Sequence, residues 1–210
     1  MLMNDSQIRN EAMTLMLTGH DTTAAALVWI WYNIARFPEV ARRCHEEVDS
    51  VVGTREPVVS DVDELHYLVA AIKETLRLYP PVIGVFPRQA TADLVIGGYD
   101  VPRKSLVALS SFVTQRDPRW FPEPECFDAQ RFLSPRIDEI PSGAYFPFGA
   151  GPRSCIGQSF AMNELVLIAA TMLQSCQVMP IPGADDPIRH VTMTLRPKRR
   201  LMLRWTRRNA

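Results

Sequence analysis

The residues best placed to do chemistry lie in FPFGAGPRSCIGQSF, residues 146–160. Three glycines (149, 151 and 157), two prolines and an arginine surround a single thiol, Cys155. Glycine reaches backbone geometries that other residues resist, and it lets a bulky flat ligand approach the main chain. The thiol stands where an apolar helical pattern begins, and a helix start carries partial positive charge that favours an anionic sulfur. Arg153, two residues earlier, adds a cation. A sulfur presented in this way can act as a nucleophile, a redox switch or a metal ligand. A nucleophile needs a nearby base. The candidates are His20, His45, His66 and His190, and none falls in a recognisable hydrolase context.

Metal ligation accounts for more of the string. A lone thiolate beside a cation suits axial ligation of a haem iron, with the arginine paired to a propionate. A cysteine that merely packs in a Gly-rich loop is the blander account, and a cysteine hydrolase has only Cys155 in its favour. The full pattern F-G-x-G-x-R-x-C-x-G, carried by Phe148, Gly149, Gly151, Arg153, Cys155 and Gly157, resembles the haem-binding signature of the cytochrome P450 monooxygenases. The resemblance implies that Cys155 is the iron ligand, that Arg153 contacts a propionate and that Phe148 packs beside the ligand loop. It implies haem b (iron protoporphyrin IX) as cofactor, with electrons from NAD(P)H through a ferredoxin or flavin reductase. Dioxygen and a small apolar organic molecule are the implied substrates.

Three further segments bear on this. TGHDTT, residues 18–23, combines a glycine with threonines, which are poor helix formers. A threonine hydroxyl can bond back to a carbonyl one turn earlier. From the residues alone, Gly19 ending one helix and Asp21 capping the next is the safer account. The resemblance reverses that preference, because the segment is similar to the family's distal-helix motif, with Thr18 in place of a smaller residue. Gly19 then makes room for dioxygen, and Asp21 and Thr22 are the acid–alcohol pair that relays protons. KETLR places Glu74 and Arg77 at i,i+3, alone worth about 0.2–0.5 kcal/mol. In the family an E-x-x-R pair is buried and joined by an arginine from a later meander. Here that is Arg131 in FDAQRF, where the acid usual before the arginine is missing. Arg88, on a β-like stretch, is the implied second propionate partner. Val82, Ile83 and Met193 are implied to line the substrate side.

The elements that must hold these groups are legible as pattern. Residues 6–36 read as a long helix, Pro38 to about Val52 as a second and 61–79 as a third, stopped by Pro80-Pro81. VIGVFPRQ, DLVIGG, YDVP and SLVALSSF are short, β-rich and punctuated, with Gly97-Gly98 as a hairpin turn. Residues 117–142 are rich in proline and charge and read as an irregular meander. IGQSFAMNELVLIAATMLQ reads as an apolar helix, and VTMTL with LMLRW as a terminal hairpin around RPKRR. The expected fold is mainly α with small antiparallel β-sheets. By resemblance it is the C-terminal half of the cytochrome P450 fold, divided into a helical part (1–81), a β-rich part with the meander (82–145) and the cysteine loop, helix and hairpin (146–210).

Composition narrows the rest. Twenty-three basic residues balance twenty-three acidic ones, so no nucleic-acid partner is expected. The basic tail, Arg196 to Arg208, reads as a solvated edge hairpin. Cys44, Cys126, Cys155 and Cys176 form no C-x-x-C pair and suit a reducing, cytoplasmic setting. The longest apolar run, residues 24–32, is too short to span a bilayer, and no signal peptide pattern opens the chain. A membrane anchor upstream is unreadable. The upstream helices of the family are missing, so a fragment, a split enzyme or a non-catalytic haem-binding remnant is expected.

Overall fold

The computed structural model describes residues 3–208. Helix α1 runs unbroken from Asp5 to Arg36, opened by a reciprocal cap between Asn4 and Gln7. The TGHDTT segment therefore neither ends nor starts a helix. Threonine hydroxyls in it and just before it do bond backwards: Thr14 donates to Asn10 O at 2.8 Å, Thr18 to Thr14 O at 2.7 Å and Thr22 to Thr18 O at 2.7 Å. Each takes up a carbonyl lone pair without displacing the ladder.

The second half of α1 is buried and the first half is not. Trp29, Ile30 and Ile34 are almost wholly enclosed, whereas Ile8, Leu15, Met16 and Leu17 are more than half exposed. Helix α2 (Pro38–Val51) follows after one residue, with proline at its first turn where no amide is needed. Helix α3 (His66–Leu78) is the centre of the core, with Leu68, Ile72 and Leu76 fully enclosed. Each such side chain contributes about 1.5–3 kcal/mol through burial. The expected start of this helix at residue 61 is too early. Residues Val59–Asp63 form a separate 3₁₀ turn. Asp61 accepts the Val58 amide at 2.8 Å and pairs with Arg55 at 2.6 Å, which fixes the turn before α3 begins.

Four two-stranded antiparallel sheets lie around these helices. Strand β1 (Val85–Gln89) pairs with β4 (Leu106–Leu109), and β2 (Leu94–Ile96) with β3 (Tyr99–Val101). The β2–β3 turn is Gly97-Gly98, with φ of +57° and +85°, the left-handed geometry that a two-residue hairpin needs. A single turn, α4 (Ser111–Thr114), precedes a meander of bends and 3₁₀ turns. Helix α5 (Gln158–Ser175) then closes the core, with Leu165, Val166 and Leu173 inside.

The terminal hairpin forms with other partners than the pattern suggested. Strand β5 (Cys176–Pro180) takes β8 (Leu203–Arg207) as its neighbour, while β6 (Arg189–Val191) pairs with β7 (Leu195–Pro197). Thr192–Thr194 thus form the tip of one hairpin rather than a strand facing LMLRW. The reason is packing: Trp205 of β8 meets Trp31 of α1 edge-on at 4.9 Å, and its opposite number Val178 is buried. The tail is also less solvated than expected. Arg196 is paired with Asp21, and Arg208 with Asp49 at 2.5 Å. No helix among the described residues is long and apolar enough to cross a membrane.

Candidate functional site: the Cys155 loop and its supports

The cysteine loop is closed on itself. The Cys155 amide donates to Phe148 O at 2.9 Å, and the Gly149 amide to Phe146 O at 3.0 Å. Gly149 has φ of +75°, and a Cβ there would meet Val85 Cγ1 at 3.3 Å. That close approach lays β1 against the loop. Residues Gly151–Arg153 make one 3₁₀ turn, and α5 begins only at Gln158, so the thiol precedes the helix by three residues. Phe148 packs partly into the core. Cys155 is exposed, as are its neighbours Ile156 and Phe160, which are 97% and 74% open.

Two cations, one on the loop and one on the strand that Gly149 meets, have no carboxylate partner among the described residues. Arg153 is exposed on the loop. Arg88, on β1, donates only to Phe86 O at 2.8 Å. An open thiol, apolar neighbours and two unmatched guanidiniums fit a flat apolar macrocycle that bears carboxylates and a metal. Among the described residues no three His, Cys, Asp or Glu side chains cluster to hold a metal by themselves.

Beneath the loop lies a buried ionic network. Glu74 and Arg77 have no exposed side-chain surface and meet in two bonds, of 2.6 Å and 2.8 Å. Arg77 spends its remaining donors on Gln115 O (2.7 Å), Pro124 O (2.8 Å) and Cys126 O (3.2 Å). Glu74 also accepts the Asp128 amide at 2.9 Å, and Arg131 approaches it at 3.5 Å. Burial pushes the Glu74 carboxyl above the ordinary carboxylate range, and Arg77 pulls it back. The pair is thus a clamp on the meander, far from the solvated ion pair that its spacing alone describes.

Gln115 was not singled out by sequence, yet it joins network to loop. Its side chain, fully enclosed, donates to Arg77 O at 3.0 Å and accepts the Phe146 amide at 2.9 Å. A lone glutamine in VTQRDP carries no signal of this. Tyr145 makes a second strut through its hydroxyl to Lys73 O at 3.1 Å, and burial pushes its own pKa well up.

The remaining expected residues lie on other elements. Ile83 and Val82 follow α3, with carbonyls held by Ser110 at 2.8 Å and Ser111 at 3.1 Å. Val82 is 41% open and Met193, at the β6–β7 tip, 77% open. Asp21 and Thr22 adjoin on α1 but are not bonded to each other. Thr22 faces back along its helix, whereas Asp21 is bonded to Thr194 and Arg196 of the hairpin. A cleft of about 580 Å³ between α2 and β5 contains none of these groups.

A helical core that suspends one exposed cysteine loop from a buried Glu–Arg clamp is the arrangement that the resemblance to haem-thiolate proteins implies. The family described as Cytochrome P450 matches residues 1–205, and the chain belongs to that family. It is 40% identical over 198 residues to cyclooctatin synthase of Streptomyces melanosporofaciens, covering 94% of this chain and 43% of that protein. It is 41% identical over 206 residues to cytochrome P450 4F5 of Rattus norvegicus, covering 96% and 39%. The crystal structure of a cytochrome P450 (CYP102L1) superimposes with a TM-score of 0.91 at 30% identity, over 98% of this chain and 46% of that one. The chain thus spans about two fifths of the length of these curated relatives.

Proposed function

We propose that this chain is the thiolate-bearing part of a monooxygenase that inserts one atom of dioxygen into a small apolar organic substrate and reduces the other to water. The observation that carries this is the open Cys155 loop, with Arg153 on it and Arg88 on the adjoining β1 both lacking a carboxylate partner among the described residues. Cys155 would hold the haem iron, and the two arginines its propionates. When bound, the haem supplies the oxygen activation, with electrons drawn from NAD(P)H through a ferredoxin or flavin reductase. The chain's own residues do the rest. The open backbone at Gly151 leaves room for the macrocycle to approach, and the Glu74–Arg77–Arg131 clamp holds the meander that carries the loop. Asp21 and Thr22 deliver protons from the distal helix, and Gly19 leaves room above them. Val82, Ile83 and Met193 line the substrate side. Relatives with near-equal identity have names pointing to different substrates, cyclooctatin synthase and leukotriene-B4 omega-hydroxylase 3 among them, so the substrate class is left at apolar.

The test is reconstitution with haemin, reduction and carbon monoxide. A strongly red-shifted Soret band that disappears in Cys155→Ala is the expected result. A histidine-type spectrum, or no uptake, would count against thiolate ligation. A second reading, a remnant that binds haem without turnover, draws on the exposed apolar half of α1 and on the open face around Ile156 and Phe160. Substrate-dependent product formation with an added reductase separates the two.

A further inference from the structure

Both carboxylate oxygens of Asp21 are engaged by residues near the opposite end of the chain. Arg196 Nη2 donates to Oδ1, and the Thr194 hydroxyl donates to Oδ2 at 3.1 Å. Thr194 Oγ1 in turn accepts Arg196 Nε at 2.7 Å, so three side chains close a ring. Thr194 is 2% exposed, whereas the Asp21 side chain keeps 28%. Leu195, between the two hairpin partners, is held as well: its amide donates to Pro81 O at 2.8 Å and its carbonyl accepts Trp29 Nε1 at 2.9 Å. The hairpin is therefore bonded to α1 at two places, Asp21 and Trp29. Met193, next in sequence to Thr194, stands open at the tip.

We infer that Arg196 and Thr194 are positioning residues for Asp21, fixing where its carboxylate faces and tying it to the hairpin that carries Met193. Asp21 is the proton-relay acid only by the function proposed above, and the hairpin assignment to that reaction rests on it. A carboxylate held by an arginine and a hydroxyl takes up a proton less readily, because protonation weakens both bonds; loosening either one eases it. Displacing the tip at Met193 reaches Thr194 through a single peptide link. The geometry thus gives a bound substrate a route to the acid that does not run along α1. The bond from Arg196 also holds the Asp21 carboxyl below the ordinary aspartate range, with Thr194 acting in the same direction. The other titratable group acting on Asp21 is His20 on its own helix, which lowers it as well.

The experiment follows the Asp21 carboxyl by ¹³C NMR titration in the 210-residue chain, with total tryptophan emission reporting the fold. Arg196→Met is expected to move the titration midpoint upward toward that of free aspartate. Thr194→Val should move it upward by less, and Arg196→Lys should restore most of the original value. An unmoved midpoint in Arg196→Met with native tryptophan emission overturns the inference. Should Arg196→Met fail to fold, an unmoved midpoint in Thr194→Val does the same. In the haem-loaded protein, Arg196→Met should lower the share of reducing equivalents that reach product with KM unchanged, and Arg196→Lys should recover it. If Asp21→Asn left that share intact while the titration shifts appeared, the relay role would fall and the positioning of Asp21 by the hairpin would stand.

Discussion

Arg77 shows how far a single side chain can depart from what its neighbours in sequence suggest. Its five N–H groups find Glu74 and three backbone carbonyls, with no exposed surface left. Losing one partner of such a pair costs about 3–5 kcal/mol, because the other charge stays buried alone. Glu74→Ala is therefore expected to lower unfolding free energy by about that amount in urea titration. A paired change, Glu74→Leu with Arg77→Met, is often neutral for buried ion pairs elsewhere. Here it should not recover the loss, since the carbonyls of Gln115, Pro124 and Cys126 would be stranded without donors. Full recovery in the double variant would show that those carbonyls find water or other donors. The E-x-x-R spacing was legible, and its burial came only from resemblance. Gln115, which completes the connection to Phe146, left no mark in the sequence, because one amide side chain looks the same on a surface and in a core.

Elements were legible where their period was long and strong. The central part of α3, α5 and the Gly97-Gly98 hairpin follow from apolar spacing and turn chemistry. The partners of β8 did not follow, because alternation marks a strand without saying which neighbour it takes. The Trp31–Trp205 contact decides that question, across a separation that no local pattern spans. Trp205→Ala should accordingly speed amide exchange in β5 and leave β6–β7 protection unchanged. Loss of protection in β6 instead would contradict the pairing. The 3₁₀ turn before α3 gives a pH signature. Bonds from Arg55 first, then the Val58 amide, hold the Asp61 carboxyl at about 2, below its ordinary value. A carboxyl depressed on folding contributes stability that is present above the unfolded value of about 3.9 and is lost as pH falls through the folded one. Arg55→Gln should thus lower the melting midpoint above about pH 5, with the two curves converging toward pH 2. Parallel curves down to pH 2 would rule the pair out as the cause.

At the scale of the whole chain, apolar side chains are left in the open on several elements: Leu15 and Met16 on α1, Phe86 and Leu106 on the β1–β4 sheet, and Phe160 on α5. Exposed apolar patches of this kind mark association surfaces or aggregation hazards. The 210-residue chain on its own should bind a hydrophobic dye and elute from gel filtration as more than its 23.7 kDa monomer. A dye-silent monomer would refute this. The buried clamp also sets an order of events. Glu74 and Arg77 adjoin on one helix, yet their other partners lie 38 to 57 residues downstream. A nascent α3 must keep that face wet until the intervening chain has looped back, since two charges cannot lose water before every donor and acceptor has arrived. Dehydration of the clamp is then a late event on the route to the native state, and loosening it should hasten unfolding far more than it retards refolding.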